Sequence, residues 1–197
     1  MNYLAHIYLS FDDPDITLGN FFADHIRGNR YQHFPNNIQK GILLHRAIDT
    51  FTDTHPIPRL SSKRLHKNYS HYSRVIVDIF YDHFLAKNWK DYSEVNLAGY
   101  VSNFYNLLKS NYDLLPDDTK HMMPNMIKSN WLYQYGHLEG IIKVLNGMNR
   151  RTQNRSKMNL AISDLKIHYD DFQSEFRSFF KELITFSRQK FNDLCES

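Results

Sequence analysis

The sequence predicts an all-α protein, a single-domain helical bundle comprising residues 1–197. The chain has 197 residues, 42% of them hydrophobic, which suffices for one sizeable core but is short for two independent domains. It contains 14 Phe and 13 Tyr but only 7 Gly and 6 Pro, so long compact elements are favoured over many tight turns. Apolar residues also recur at three- and four-residue steps, the spacing of one helix face.

The N-terminal half divides into four predicted helical segments. The first is the short apolar run from Leu4 to Leu9, and a break at residues 12–14 separates it from a second segment that ends near Gly28. Asn36 or Asn37 is expected to cap the third helix. That helix should end before Pro56, because proline disfavours helical geometry at the preceding residue.

The fourth predicted helix spans Ser73–Lys87, where an apolar stripe surrounds several polar side chains. The stretch before it, from Arg59 to Arg74, is interpreted as a solvated loop that leads into this helix. Asp91, followed three positions later by Glu94, is typical of a capping box and predicts the start of a fifth helix.

The C-terminal third is predicted to be helical as well. Pro124 is expected in the first turn of a helix that ends at Gly136, and another helix follows from Leu138 to Met148. From about Ser156 onward, apolar positions alternate at three- and four-residue steps, so this segment is predicted to form one long amphipathic helix.

The net charge, the single cysteine and the lack of long apolar stretches indicate where the protein works and which partners it does not bind. A formal charge of +3 is too small to indicate a nucleic-acid-binding protein. The single Cys195 cannot form an internal disulfide, which is typical of a reducing cytoplasm. The N-terminus lacks a secretory signal, and no apolar stretch of about 18 residues is present to span a bilayer. We therefore expect a cytoplasmic protein that binds neither nucleic acid nor membrane.

His and Asp residues at helical spacing form the most informative pattern. His45, Asp49 and Asp53 follow one another at steps of four, so one helix face carries all three. Asp78 and Asp82 are also four apart, with His83 adjacent, in a helix whose flanks are apolar. Buried carboxylates cost several kcal/mol each unless they are paired or bound to metal, so this group needs partners.

Two further polar residues, His6 and Asp24, lie in apolar surroundings. A mixed set of imidazoles and carboxylates suits Mn²⁺, Fe²⁺, Co²⁺ or Mg²⁺ better than a thiolate zinc site. The alternative for His6 alone is an ordinary hydrogen-bonded core histidine. The alternative for His45, Asp49 and Asp53 is a helix face of ordinary salt bridges.

Five ordered sequence blocks resemble the acyl-carrier-protein phosphodiesterase family. They are MNYLAHIYLS, LGNFFADHIRG, GILLHRAIDTFTDTHP, SRVIVDIFYDHFLAKNW, and WLYQYGHLEGI with LNGMNRR, and together they cover the chain from Met1 to about Arg151. The family is similar to an unusual branch of the HD-type phosphohydrolases. The resemblance therefore implies an HD-domain-like helical fold and a bound divalent cation, Mn²⁺ by preference, with Mg²⁺, Fe²⁺ or Co²⁺ as substitutes.

The resemblance also implies which residues form the site. The expected metal-site residues are Asp24, His45, Asp82, His83, His6 and Asp78. The expected catalytic residues are Asp24, His55, Asp49 and Arg46, with His55 available for proton transfer. Asp49 and Asp78 are expected to orient the ligands. The order Asp82-His83 reverses the usual His-Asp dipeptide.

The implied reaction is hydrolysis of the phosphodiester that joins 4′-phosphopantetheine to a serine of holo acyl carrier protein. Because this partner is acidic, a basic docking surface is expected, formed by Arg59, Lys63, Arg64, Lys67 and Arg74. Two alternatives stay open on the sequence. One is a phosphohydrolase acting on a nucleotide or another small phosphate ester, and the other is a noncatalytic helical module that binds acidic partners.

Overall fold

The computed structural model describes residues 1–196, which form eleven α-helices and no strand, so the all-α prediction is confirmed. None of the helices in this part of the chain is long and apolar enough to cross a bilayer. The helices are α1 (Tyr3–Tyr8), α2 (Pro14–Phe22), α3 (Asn36–Thr54), α4 (Pro56–Tyr69), α5 (Ser73–Lys87), α6 (Leu97–Ser110), α7 (Asp117–Lys128), α8 (Trp131–Gln134), α9 (Leu138–Arg151), α10 (Ala161–Ile167) and α11 (Tyr169–Glu196).

Helix α5 lies in the middle of the bundle, since 11 of its 15 residues are buried. Helix α11 packs across α3, α4 and α5 through an aromatic stripe. Phe172 of α11 meets Phe80 of α5 with ring centroids 5.3 Å apart, and Phe176 meets Phe84 at 6.0 Å. These fully buried rings contribute much of the apolar area that holds the bundle together.

Helices α2 and α3 approach each other unusually closely because each carries a glycine at the contact. A Cβ added to Gly19 would lie 2.1 Å from the carbonyl oxygen of Ile38, and one added to Gly41 would lie 2.3 Å from that of Ile16. Only glycine permits two backbones to come so near. This contact fixes the distance between Asn20 on α2 and His45 on α3.

The predicted helices at Leu4–Leu9, Ser73–Lys87 and Leu138–Met148 are confirmed. The third helix begins at Asn36 itself and has no side-chain cap, with Pro35 at the N-cap position. The interpretation of the stretch from Arg59 as a loop is wrong, because α4 begins at Pro56 directly after α3 ends. Proline suits the first turn of a helix, so Pro56 starts α4, and His55 is at once the C-cap of α3 and the N-cap of α4.

Three boundaries in the C-terminal half also differ from the prediction. Helix α6 begins at Leu97 and is capped by Asn96, whose Oδ1 accepts a hydrogen bond of 2.9 Å from the Gly99 amide, so the Asp91 capping box is wrong. Pro124 lies inside α7 and does not start a helix. The final segment is two helices, α10 and α11, because the backbone leaves helical geometry at His168.

The contact between α2 and α3 predicts the outcome of a one-carbon substitution. Gly41→Ala should lower the free energy of unfolding by about 1–3 kcal/mol, because the added methyl meets backbone that cannot move aside. The matched control is Gly99→Ala, where the added Cβ meets only side-chain atoms of Val95 and Asn96 at 3.5 Å or more and α6 gains helix propensity. Urea titrations followed by circular dichroism measure both, and equal midpoints for the two variants would contradict the contact.

Candidate metal centre

Two imidazoles and a carboxylate converge where α1 meets α3. His6 and His45 stack with ring centroids 4.0 Å apart and an interplanar angle of 19°. Asp49 lies one turn after His45, and its two oxygens approach different rings: Oδ1 lies 3.2 Å from His6 Nε2, and Oδ2 lies 3.1 Å from His45 Nε2. One ligand atom from each of the three residues therefore lies within 4.8 Å of the others, close enough for one ion to bind all three.

Asn20 holds both imidazoles in place. Its backbone carbonyl accepts a hydrogen bond of 2.8 Å from His45 Nδ1, and its side-chain Oδ1 lies 2.8 Å from His6 Nδ1. The orientation of the amide is set by its Nδ2, which donates to the His6 carbonyl at 2.8 Å and to Ser10 Oγ at 3.0 Å. Oδ1 is therefore the acceptor, and His6 Nδ1 must be the donor.

Both Nδ1 atoms thus carry a proton, which leaves Nε2 of each ring as the atom available to a cation. His6 Nε2 is buried and makes no aligned hydrogen bond, although Asp49 Oδ1 is near. Burial, followed by the charge of His45, lowers the pKa of His6, so its ring is neutral. The lone pairs of His6 Nε2 and Asp49 Oδ1 repel each other, so burying the two atoms side by side is unfavourable unless a cation lies between them.

Asp24 completes the group at the surface. Its Oδ1 lies 3.2 Å from His45 Nε2, and 64% of its side chain is exposed. The hydrogen bond to His45 lowers the pKa of Asp24, and the imidazoles lower the pKa of Asp49 despite its burial. Burial works against the charged form of His45, but Asp24 and Asp49 outweigh it and raise the pKa of His45 to about 9. The proton that this pKa describes is on His45 Nε2, and a bound cation would take its place.

Asp78 does not join this group but lies behind it. Its Oδ1 is 3.2 Å from the α-amino nitrogen of Met1, which in turn is 3.5 Å from Asp49 Oδ1. Burial opposes the charge on this amine, yet Asp78 and Asp49 raise its pKa to about 10. Asp78 is therefore connected to Asp49 through one cationic nitrogen.

Asp82 has a different partner from the expected ion. Its Oδ2 accepts a hydrogen bond of 2.7 Å from the Leu4 amide, and its Oδ1 accepts one of 3.1 Å from the Ala5 amide. These amides lie in the first turn of α1, whose own N-cap residue Asn2 makes no side-chain cap. Asp82 thus caps α1 from α5, and this contact satisfies a fully buried carboxylate without a metal.

His83 is likewise engaged away from the cluster. Its Nδ1 donates to the Tyr135 carbonyl at 2.7 Å, and its Nε2 accepts from the Tyr169 hydroxyl at 2.8 Å. Burial lowers the pKa of His83 to about 4, so the ring is neutral. Both ring nitrogens have ordinary protein partners, and the ligand role expected for this residue has no contact to support it.

The other expected catalytic residues also have structural contacts. His55 caps α4, since its Nδ1 accepts a bond of 3.3 Å from the Ile57 amide, while its Nε2 lies 3.2 Å from Glu182 Oε2. Arg46 donates to the Gly28 carbonyl at 2.7 Å and covers the Tyr31 ring at 5.0 Å. It fixes the turn after Asp24 and does not point at the cluster as a free cation.

The five expected docking residues divide into two kinds. Arg64 is bound on both arms by Glu175 of α11, at 2.7 and 2.9 Å, so its charge serves the packing of α4 on α11. The other four, Arg59, Lys63, Lys67 and Arg74, line one groove beside α4.

Two residues at the site were missed on the sequence. One is Asn20, which is fully buried and polar within an apolar helix; that placement was a signal in the sequence, although an amide does not belong to the pattern of His and Asp residues. Tyr3 is the other: burial and then the charge of Asp24 raise the pKa of its hydroxyl, while the charge of Arg151 lowers it, and the hydroxyl donates to Met122 Sδ at 3.4 Å.

Known proteins similar to this chain share one description. The family model for acyl carrier protein phosphodiesterase matches residues 1–183. A protein of that name from Photorhabdus laumondii is 30% identical over 191 residues, which is 96% of each chain. Relatives with the same name from Yersinia enterocolitica and an Enterobacter species are 27% and 29% identical, over 96% of this chain and 99% of theirs. No solved structure matches significantly, so the HD-like relationship stays a prediction.

The contacts of Asp82 predict a loss of stability when its carboxylate is changed. In Asp82→Asn the new amide nitrogen cannot accept from a backbone amide, so one buried donor loses its partner and the free energy of unfolding falls by about 1–3 kcal/mol. The exposed control Asp91→Asn should change it by no more than about 0.5 kcal/mol. If Asp82→Asn kept full stability in urea titrations and lost bound metal, Asp82 would be a ligand and not a cap.

Proposed function

This chain belongs to the acyl carrier protein phosphodiesterase family, and on that basis we propose that it is a hydrolase that removes 4′-phosphopantetheine from holo acyl carrier protein. The observation that supports this chemistry is the convergence of His6, His45 and Asp49, with Asp24 beside them at the surface. Phosphodiester hydrolysis requires a centre that stabilises charge on phosphoryl oxygens, and a divalent cation held by such a group supplies it.

We propose that the ion is Mn²⁺, bound by His6, His45, Asp49 and Asp24. Two imidazole nitrogens and carboxylate oxygens are a donor set typical of divalent transition metals, and no thiolate is near. When bound, such an ion lowers the pKa of water and neutralises developing charge on the phosphate. Mg²⁺, Fe²⁺ and Co²⁺ are the alternative ions for the same four ligands.

The residues of the chain have separate tasks in this proposal. Asn20 accepts the Nδ1 protons of both rings and so aims both Nε2 atoms into the site. Asp24, anionic and largely exposed, accepts a hydrogen bond from the attacking water and so orients it toward phosphorus. Asp49 balances the charge between the two rings.

The bonds that change in the reaction are few. The water oxygen forms a bond to phosphorus while the bond from phosphorus to the serine oxygen breaks. The serine oxygen leaves with one proton of the water, and the other remains with the phosphate product. The products are apo acyl carrier protein and 4′-phosphopantetheine.

Mass spectrometry of holo acyl carrier protein after incubation with the purified protein and Mn²⁺ tests the proposal directly. We expect the mass of the carrier protein to fall by that of phosphopantetheine minus one water, because hydrolysis leaves a hydrogen on the serine oxygen. A panel of nucleotides under the same conditions tests the phosphohydrolase alternative. Turnover of a nucleotide with no change in the carrier protein would overturn the proposed substrate, and no turnover of either would favour a binding module.

Metal content distinguishes the cluster from the Asp82-His83 pair. His6→Gln should abolish stoichiometric Mn²⁺ binding, because it removes one of two imidazole ligands. The matched variant His83→Gln should keep the metal, since His83 contacts Tyr135 and Tyr169. Elemental analysis of protein loaded with Mn²⁺ and then desalted measures both, and the reverse result would move the site to His83.

We expect Asn20 to affect the affinity of the protein for Mn²⁺ although it does not contact the ion. Asn20→Leu removes the acceptor for His6 Nδ1 and leaves that ring free to turn or change tautomer, so Mn²⁺ affinity should weaken by about 10–100-fold. The control Ser10→Ala removes only a neighbour of the amide and should weaken it far less. Calorimetric titration with Mn²⁺ gives both constants, and equal affinities for Asn20→Leu and the unmodified protein would contradict this role.

A further inference from the structure

A groove with strongly uneven charge runs between α4 and α5. It has a volume of about 910 Å³, and the end of α3 closes one side. Arg59, Lys63 and Lys67 follow one another at steps of four along α4, so they form one stripe about 12 Å long. The residues that line the rest of the groove include Arg74, His66, His71, Asp53 and Asp78.

The acidic side chains of the groove do not neutralise this stripe. Asp53 is already engaged by Arg74 at 3.5 Å, and Asp78 by the Met1 amine at 3.2 Å. Lys63 and Lys67 are exposed, and within residues 1–196 neither has a carboxylate within 4.0 Å. Two lysine charges therefore face the groove without an ion-pair partner, which favours an anionic occupant.

The groove is next to the metal cluster. Asp53, on its wall, lies one turn of α3 after Asp49, which is about 6 Å along the helix axis. Asp78, also on the wall, connects to Asp49 through the Met1 amine. A molecule held along α4 would thus extend to the edge of the proposed active site.

We propose that this groove holds an acidic helical segment of the carrier-protein substrate and delivers the modified serine to the metal cluster. This inference rests on the proposed function. A stripe spanning two helical turns matches carboxylates spaced four apart on a partner helix, whereas a small phosphate ester would use only one or two of these cations. Arg64 takes no part, because Glu175 binds it.

The test reverses charge in the groove and, as a matched control, outside it. The groove variant is Lys63→Glu/Lys67→Glu, and the control is Lys90→Glu/Lys128→Glu, which makes the same net change at exposed positions away from the groove. Kinetics are measured with holo carrier protein and with bis(p-nitrophenyl) phosphate, a small phosphodiester. Binding of apo carrier protein is measured by fluorescence anisotropy, and Mn²⁺ content and melting temperature show that each variant is intact.

In the groove variant, KM for the carrier protein should rise by about tenfold or more and should depend much less on salt concentration. Its kcat and its rate with the small substrate should stay within about twofold of those of the unmodified protein. The control should change KM by less than about threefold. An unchanged KM in the groove variant, or equal losses in both variants, would overturn the groove as the docking site.

Failure of the proposed function would give a different result. If the unmodified protein does not cleave holo carrier protein but binds the apo form through Lys63 and Lys67, the hydrolase proposal fails and the docking site stands. If the unmodified protein does not bind apo carrier protein at all, the docking proposal fails whatever the enzyme activity.

Discussion

The site depends on one residue, Asn20, which presents two acceptors to two histidines. Its backbone carbonyl fixes His45 and its side-chain oxygen fixes His6, so the two rings stack with both Nε2 atoms on the same side. Asn20 can do this only because α2 lies against α3 at Gly19 and Gly41. The two glycines determine the distance between α2 and α3, and that distance determines the positions of the two imidazole rings. The rings in turn determine where a cation can bind.

The bundle accommodates its inward-facing carboxylates in three different ways. Asp49 lies between two imidazoles, Asp78 meets an ammonium group, and Asp82 caps the first turn of α1. Each solution lowers the cost of a buried charge, although burial still raises the pKa of Asp78 and raises that of Asp82 to about 7. The cap also has a consequence for the site, because it holds α1, and therefore His6, against α5.

Much of the fold was predictable because apolar periodicity reports on each helix separately. The i, i+4 spacing of His45 and Asp49 correctly placed both side chains on one helix face. The same rule could not identify the partner of Asp82, since the amides that it binds are 77 and 78 residues away. A buried carboxylate was evident from the sequence, but a helix end and a metal ion satisfy it equally well. The end of the third helix before Pro56 was predicted correctly, but the stretch from Arg59 was interpreted as a loop, because proline can begin a helix directly after another helix ends.

The position of the ion can be measured by anomalous X-ray scattering at the manganese edge of crystals grown with Mn²⁺. We expect one strong peak in contact with Nε2 of His6, Nε2 of His45 and a carboxylate oxygen of Asp49, with the hydrogen bonds of Asn20 intact. A peak beside Asp82 and His83 instead, or no peak between the two stacked imidazoles, would contradict it.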